Sequence, residues 1–281
     1  DYQRSNGRRL DLAVQIRLDK AQDHQLLKAM REAGVNMVAI GFESPIAEEL
    51  RAMNKHITPD QMVEWTLTYR RFGFLIHGMF IFGYPLADGV NFSMNGKERV
   101  RRFVRFMCQG HIDTIQVLLP VTLPGTEFRQ RLQEQGRLYP LEDVGWEFYD
   151  GNFPLFEPDQ PLTAQELQRC QSRIMRGHYR LRSIWVLGAC VCLFPAVLLF
   201  TSDIKSGWRR WYRRWRNNLI RFFGWVIIRG WMNAFLRSGF VYKLLAAQEH
   251  VRERRAAMRS AATQLAAEDE DSSLTTSTRR G

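Results

Sequence analysis

Polar and glycine residues follow three apolar segments of the sequence, at the points where the segments end. Arg17 and Asp19 follow the first segment, Glu43 and Ser44 the second, and Gly83 the third. Apolar segments that alternate with helical patterns predict a parallel sheet, and the carboxyl ends of its strands form the usual ligand-binding edge. Arginine and carboxylate side chains at that edge can bind the charged groups of a ligand, and a glycine lets a flat ligand approach the backbone.

A structural role for Glu43 and Ser44 is the alternative interpretation. Both residues directly precede a short helical pattern in the sequence. Serine is favoured at a helix N-cap, and a carboxylate is stabilising near a helix N-terminus. Spacing alone slightly favours helix capping over a ligand contact and does not decide between them.

Alternating strand and helix patterns from Leu12 to about Glu127 must position these residues. The strand patterns lie at 12–17, 35–42, 74–83 and 113–121. The helical patterns lie at 23–34, 44–54, 58–73, 96–110 and 126–136, and a further helix begins at about Thr163. Because the strands are apolar almost throughout, both faces of the sheet are expected to be covered. The sequence therefore predicts an α/β fold with four β/α units.

The positive charge of the chain is concentrated in one stretch. Between Thr201 and Ala262 there are 14 Lys or Arg residues and 3 Asp or Glu residues, which accounts for the whole net charge of +11. A block of one sign predicts an anionic partner. The candidates are a membrane surface and, less favoured, a nucleic acid.

The order of the motifs resembles the second half of the core barrel of radical S-adenosylmethionine (radical SAM) enzymes. The features are the strand end IGFES, the tripeptide MNK at 53–55 before a Thr-capped helix, and the strand HGMFIFGYP. The segments LPVTLPGTEFRQRLQEQGRL (119–138) and WEFYDGNFPLFEP (146–158) resemble the closing part of the same barrel. More narrowly, the chain is similar to the group that usually carries an upstream cobalamin-binding domain, which includes the anaerobic magnesium-protoporphyrin ester cyclase.

This resemblance implies roles for the residues at the strand ends. Glu43 and Ser44 match polar residues that hydrogen-bond the ribose or methionine part of SAM, which favours a ligand contact over capping at this position. Arg17 matches a strand-end arginine that can hold the SAM carboxylate.

The third strand is implied to pack near the adenine of SAM. Gly78, Ile81 and Gly83 match the glycine-rich strand of the family, and Asp88 is a loose equivalent of an acid that often follows that strand.

Radical SAM chemistry also requires a [4Fe–4S] cluster held by a CxxxCxxC loop, and this chain departs from the family there. Its cysteines are Cys108, Cys170, Cys190 and Cys192, and no CxxxCxxC occurs. Cysteine in an apolar helix usually acts as a small hydrophobic residue, so we expect no metal ligand in this chain.

The missing loop, the missing first strands and the initial Asp1 lead us to expect a C-terminal part of a longer protein. The cluster loop and any cobalamin domain would then lie upstream, and cobalamin is a candidate cofactor beside SAM and the cluster. This chain alone is not expected to be catalytically competent.

The C-terminal region has features of a membrane anchor. Residues 184–200 form an uncharged run of 17 residues, shorter than the ~20 needed to span a bilayer, and both flanks are basic. Helical spacing places an apolar stripe beside or opposite the arginines 209, 210, 213, 214 and 216. The stripe consists of Trp208, Trp211, Tyr212, Trp215, Leu219, Phe222, Phe223 and Val226. This pattern favours a monotopic or re-entrant anchor over a true span, with packing against protein as the third interpretation.

Four segments are expected along the chain. They are a partial barrel (1–136), a barrel-closing segment and helix (137–183), apolar and amphipathic membrane-leaning helices (184–262) and a disordered tail (263–281). The chain is expected to be cytoplasmic, and peripheral or monotopic at the inner membrane face through 184–230.

The function expected is that of a radical SAM enzyme fragment that supplies part of the SAM pocket and the substrate side. A lipid-like or tetrapyrrole substrate suits the membrane-leaning tail. The alternative is a non-catalytic membrane-associated scaffold that keeps the barrel half. Nucleic acid is the less favoured partner, because no nucleic-acid module accompanies the arginines.

Overall fold

The structure, a computed structural model, describes residues 5, 7, 10–86, 90, 92–179, 189, 192, 219–220, 222–230 and 239–278. The chain divides into two units, the first made of 1–120 and 159–234 and the second of 121–158 and 235–281. The first unit contains the sheet and the candidate site. The four segments expected from the sequence remain a prediction.

The sheet of the first unit has four parallel strands in the order in which they follow along the chain. They are β1 (Leu12–Gln15), β2 (Val35–Glu43), β3 (Leu75–Ile81) and β4 (Thr114–Leu118). In the register, Val38 of β2 lies beside Ile76 of β3, and Gly78 lies beside Ile115 of β4. Consecutive parallel strands with helices between them are the arrangement of a section of a (β/α) barrel, so the predicted α/β class is confirmed.

Helices connect and follow the strands of this sheet. They are α1 (His24–Glu32), α2 (Ala47–Ala52), α3 (Pro59–Arg71) and α4 (Gly96–Gln109). A side chain at the N-cap holds the first turn of three of them: Asp23 in α1, Thr58 in α3 and Asn95 in α4. Each of these side chains accepts a hydrogen bond from a backbone N–H that the helix itself leaves unpaired. The predicted helices at 23–34, 58–73 and 96–110 are therefore confirmed with slightly shorter bounds.

Aromatic rings hold the middle of the sheet against α4. The rings of Phe42 on β2 and Phe80 on β3 stack with centroids 5.4 Å apart. Phe106 of α4 meets Phe42 edge-on at 5.3 Å, and Phe103 lies 5.8 Å from Phe80. These side chains are buried, and such ring pairs contribute about 0.5–1.5 kcal/mol beyond the area they bury. The strand ends that carry the candidate site are thus fixed from behind.

The remaining helices are distributed over both units. They are α5 (Glu127–Glu134), α6 (Leu141–Val144), α7 (Ala164–His178) and α8 (Phe240–Thr278). Short 3₁₀ helices cover Leu18–Gln22 and Trp146–Phe148, and residues 222–230 are helical. The sequence predicted disorder from residue 263, whereas the structure continues α8 to Thr278. Ser, Thr and Asp outnumber Ala, Gln and Glu between residues 263 and 278, so intrinsic helix propensity does not explain this continuation.

The second unit packs α8 against the segment that the sequence assigned to barrel closure. Phe240 of α8 lies 4.8 Å from Phe148 and 4.5 Å from Phe153 between ring centroids. Lys243, one turn further, has its Nζ 2.5 Å from a carboxylate oxygen of Glu147. An aromatic contact and an ion pair therefore anchor the start of α8 within this unit.

Much of the predicted membrane region lies outside the described residues. Of the apolar run 184–200 the structure describes only Ala189 and Cys192, and the arginine-rich stretch 208–216 is not described. Within the part of the chain that is described, no helix combines the length and the apolar character needed to cross a bilayer.

Candidate functional site

A pocket of about 650 Å³ opens at the carboxyl ends of β1 and β2. Its lining comes from the two strand ends, the segment after α2 and the first half of α3. The lining residues are 15–19, 41–43, 50, 54–57, 62 and 65. Parallel α/β folds bind their ligands at this edge. Arg17 and Glu43, which the sequence predicted as site residues, therefore lie on one pocket.

The backbone at Glu43 turns sharply out of the sheet. Glu43 has a φ of 61°, a left-handed conformation that residues other than glycine rarely adopt. The N–H of Ser44 donates to the carbonyl of Phe42 at 2.8 Å, so Glu43 is the centre of a γ-turn. The register of β2 on β3 shifts between Gly41 and Glu43. This turn brings the Glu43 carboxylate to the pocket, while Phe42 stays in the core.

Gly41 leaves the space that the Glu43 carboxylate occupies. A Cβ atom at position 41 would lie 2.9 Å from Oε1 of Glu43, closer than such contacts normally are. The Nζ of Lys55 lies 3.4 Å from the same oxygen. Lys55 belongs to the MNK tripeptide, but its position beside Glu43 was not predicted. The structure thus adds a cation to the site, and that tripeptide was the only signal for it in the sequence.

Arg17 lines the same pocket, and its guanidinium pairs with Asp19. Its Nη2 lies 2.6 Å from Oδ2 of Asp19 and its Nε 3.2 Å from Oδ1, so the planar fork engages a carboxylate through two parallel bonds. The Arg17 side chain is 81% exposed. From behind, the hydroxyl of Tyr69 on α3 donates to the carbonyl of Arg17 at 2.9 Å and fixes the backbone there. Arg17 therefore combines a fixed backbone with an accessible, carboxylate-binding side chain.

The pocket lining combines both signs of charge with an apolar wall. Arg17 and Lys55 supply cations, Asp19 and Glu43 supply carboxylates, and Trp65 contributes an aromatic face. The remaining lining includes Ile16, Leu18, Phe42, Ile57 and Met62. Such a lining suits a zwitterionic ligand with an apolar or flat part. S-adenosylmethionine, with an amino and a carboxylate group at one end and an adenine at the other, is a molecule of that kind.

Ser44 takes a buried position beside the pocket. Its hydroxyl donates to the carboxylate of Glu49 on α2 and accepts from the N–H of Ile46 at 3.1 Å. Ile46 is the N-cap residue of α2, and no side chain caps this helix directly. Ser44 is absent from the pocket lining, so its predicted contact with SAM remains a prediction. Glu43 does not cap α2 in the structure, although spacing alone had favoured that role.

The glycine-rich third strand also lies apart from the pocket lining. A Cβ atom on Gly78 would lie 2.7 Å from the ring of Phe80. A Cβ on Gly83, where φ is +76°, would lie 2.1 Å from a methyl group of Leu167 on α7. Packing and backbone conformation therefore require both glycines, whatever they contribute to a ligand. The adenine contact predicted for Gly78, Ile81 and Gly83 stays a prediction, and Asp88 lies outside the described residues.

A buried ion pair lies behind the turn that carries Glu43. The carboxylate of Glu49 accepts from Nη1 of Arg99 on α4 and from the Ser44 hydroxyl. The side chains of Arg99 and Glu49 are 2% and 0% exposed. Burial raises the pKa of Glu49 to about 7, because the loss of water outweighs the attraction of the Arg99 guanidinium and the Ser44 hydrogen bond. This pair ties the β2–α2 turn to α4, and no sequence pattern distinguished Arg99 from the other arginines of its helix.

The described cysteines do not fit an iron–sulfur cluster. Cys108 on α4 and Cys192 are exposed, Cys170 on α7 is half-buried, and Cys190 lies outside the described residues. Burial raises the pKa of the Cys170 thiol, which disfavours the thiolate that binds iron. Within the described part of the chain, no three His, Cys, Asp or Glu residues are grouped to hold a metal ion.

Comparison with known proteins relates the chain to methyltransferases. It is 31% identical over 104 residues to an uncharacterised methyltransferase of Pyrococcus horikoshii, a match that covers 37% of this chain and 21% of that protein. It is 28% identical over 139 residues to the hopanoid C-2 methylase of Rhodopseudomonas palustris, which covers 49% of this chain and 25% of that protein. No known protein-family profile matches the chain.

These matches cover only part of each protein. The chain spans a quarter or less of the length of the two curated relatives. Among solved structures, it is similar to Elp3 of Methanocaldococcus infernus with an N-terminal deletion, with a TM-score of 0.41 and 16% identity. That similarity covers 59% of this chain and 33% of the other. Over these parts, the chain is similar to one protein named as a methyltransferase and one named as a methylase.

Proposed function

We propose that this chain forms part of the S-adenosylmethionine pocket of a radical SAM enzyme that transfers a methyl group. The observation that carries the proposal is the convergence of Arg17, Glu43 and Lys55 on one pocket at the carboxyl ends of β1 and β2. The sequence resemblance to the radical SAM barrel covers the same strand ends. Methyl transfer is favoured over the other reactions of the group because both curated relatives are named for it.

The residues of the pocket can hold the two ends of SAM. The exposed pair of Arg17 and Asp19 contributes about 1 kcal/mol or less, so the carboxylate of a ligand can replace Asp19 on the guanidinium fork. The Glu43 carboxylate can accept hydrogen bonds from the ligand amino group or ribose hydroxyls. Trp65, also in the pocket lining, can offer a flat face to the adenine. When bound, SAM supplies the methyl group, and the protein residues bind and orient it.

The iron–sulfur cluster has no place among the described side chains of this chain. The proposal therefore assigns the cluster ligands to a protein segment outside residues 1–281, and cobalamin, if used, to another domain. A lipid-like substrate is favoured over a tetrapyrrole, because one of the relatives is named as a hopanoid methylase.

Removing either charged group of the pocket is expected to weaken SAM binding. Arg17→Ala and Glu43→Ala in the full-length protein should each lower the affinity about tenfold or more, since a hydrogen bond to a charged group contributes roughly 1.5–3 kcal/mol. Isothermal titration calorimetry with SAM measures this directly.

Arg51→Ala is the matched control for this experiment. Arg51 lies on α2, is exposed and pairs with Glu48, and it is absent from the pocket lining. Its loss should leave SAM affinity unchanged. Unchanged affinity in both Arg17→Ala and Glu43→Ala would show that the pocket does not bind SAM through these groups.

A non-catalytic, membrane-associated scaffold that keeps the barrel half is the second candidate function. Iron and sulfide analysis after anaerobic reconstitution separates the candidates. The first predicts a four-iron cluster in the full-length protein and none on residues 1–281 alone. A stable cluster on residues 1–281 alone would contradict our placement of the ligands, and no cluster in the full-length protein would support the scaffold.

A further inference from the structure

We propose that the helical segment 222–230 docks the first unit onto an anionic lipid surface. One side of this helix is packed against the core of the unit, and the other presents large apolar side chains to the outside. The proposal concerns a different surface from the SAM pocket and does not depend on the proposed function.

The inner side of the segment is attached to the sheet. Trp225 and Ile228 pack against the core of the first unit. A Cβ on Gly224 would lie 2.5 Å from the ring of Tyr179, so this glycine allows the helix to lie directly on that ring. The hydroxyl of Tyr179 accepts from the N–H of Ile115 at 2.8 Å and donates to its carbonyl at 2.9 Å. Tyr179 therefore connects the inner side of the segment to the backbone of β4.

The outer side of the segment is apolar. Phe223 is 60% exposed, Val226 46% and Ile227 68%, and Phe222 is exposed beside them. Positions 223, 226 and 227 have the spacing of three and four residues that places side chains on one helix face. Single exposed apolar residues are ordinary, but a contiguous apolar face indicates a binding surface. Sequence spacing predicted Phe222, Phe223 and Val226 on an apolar stripe, and the structure adds Ile227 to the exposed side.

The positive charge of the sequence near this segment indicates what kind of partner it binds. Residues 201–230 contain eight Lys or Arg and one Asp. Arg229 belongs to the segment, and the other seven basic residues precede it in the sequence. An apolar helix face within a basic stretch of sequence is typical of helices that lie in the headgroup region of a bilayer. Each basic residue near an anionic surface contributes roughly a fivefold gain in affinity. A nucleic acid would pair with the charges but would leave the apolar face exposed, and a lipid surface satisfies both.

Vesicle flotation tests the proposal with the full chain. Vesicles of phosphatidylcholine mixed with phosphatidylserine should carry the protein upward in a density gradient, and vesicles of phosphatidylcholine alone should carry much less. The double variant Phe223→Asp with Ile227→Asp should lower the affinity for the mixed vesicles at least about tenfold, because two apolar side chains no longer enter the bilayer and two repelling charges are added.

Two further variants make the result specific. Val104→Asp places the same change on an exposed apolar residue of α4, outside the segment, and should leave vesicle binding within about twofold of the unaltered protein. Phe223→Ser with Ile227→Ser removes the apolar surface without adding charge and should still weaken binding. Circular dichroism melting of each variant reports whether it is folded.

Several outcomes would overturn the proposal. They are equal flotation with neutral and anionic vesicles, an unchanged affinity in folded double variants, or an equal loss in Val104→Asp. If the variants instead abolish self-association in size-exclusion chromatography and leave vesicle binding intact, the face is an interface between copies of this chain and the lipid proposal is wrong.

Discussion

Replacing Arg99 with methionine is expected to lower the free energy of unfolding of the first unit by about 3–5 kcal/mol. The substitution keeps an apolar side chain of similar length on α4 and removes the guanidinium that pairs with Glu49. When Glu49 is ionised, above about pH 7, its charge is then left buried with the Ser44 hydroxyl as a donor and without the guanidinium. Urea unfolding followed by tryptophan fluorescence measures the loss.

The loss of stability caused by Arg99→Met should depend on pH, and its direction follows from the pKa of Glu49. The folded-state pKa of Glu49, about 7, lies above its unfolded value of 4.5, so the folded protein binds more protons between these values. The contribution of this group to stability therefore falls as the pH rises from 4.5 to about 7. Without Arg99, the ionised form of Glu49 is even less stable in the folded protein, so its folded pKa rises further. The destabilisation by Arg99→Met should consequently grow as the pH rises above about 7 and be smallest below it, where Glu49 is protonated in both folded proteins.

Two variants separate the buried pair from general effects of losing an arginine. Arg101→Met lies on the same helix, where the arginine side chain is 61% exposed and pairs with Glu98, and it should cost less than about 1 kcal/mol. Glu49→Gln combined with Arg99→Met should depend much less on pH than Arg99→Met alone. If Arg99→Met lowers the free energy of unfolding equally at all pH values, the loss comes mainly from the packing of the arginine. The ion pair with Glu49 would then contribute little.

Replacing Gly83 with alanine is expected to destabilise the first unit by about 3 kcal/mol. A left-handed backbone costs a residue with a Cβ roughly 1–2 kcal/mol, and overpacking of a filled core costs about 1–3 kcal/mol more. Both penalties apply, because φ is +76° and the new methyl group would collide with the buried Leu167. Thermal and urea unfolding of the variant provide the measurement.

Gly125→Ala divides this cost into its two parts. Gly125 has a φ of +78°, close to that of Gly83, but no atom lies within 4 Å of the added methyl group. We expect only the backbone part of the cost there, about 1–2 kcal/mol. Equal losses in the two variants would contradict the assigned role of Leu167, and a Gly83→Ala protein of normal stability would contradict the packing at that strand end.

The sequence predicted the fold from patterns that depend on neighbouring residues. Apolar strands, Thr58 before Pro59 and the glycines after helices are local signals, and the strands and long helices appeared where they predicted. For the tail, low complexity predicted disorder from 263, and the structure continues α8 to Thr278. Ser, Thr and Asp, which are weak helix formers, predominate in this stretch, so local propensity does not account for the helix.

The candidate site was predicted in part, because its residues come from separated segments. Arg17 and Glu43 follow strands, and strand ends meet at one edge, so both were found. Lys55 reaches Glu43 across 12 positions of sequence, and Arg99 reaches Glu49 across 50. Such partners are set by how the helices pack. Ser44 illustrates the same limit: its position after the strand predicted a site residue, and in the structure its hydroxyl is directed to Glu49 while its contact with SAM stays a prediction.

Under the proposed function, selection for ligand binding and selection for stability oppose each other at Glu43. Its left-handed backbone is a conformation that glycine or asparagine adopts at lower cost, so selection for stability alone would replace the glutamate. A lineage that had given up the ligand would be expected to drift to glycine or asparagine at this position, while the rest of the sheet stayed unchanged. Among related sequences, a carboxylate retained at this γ-turn would mark the members that still bind.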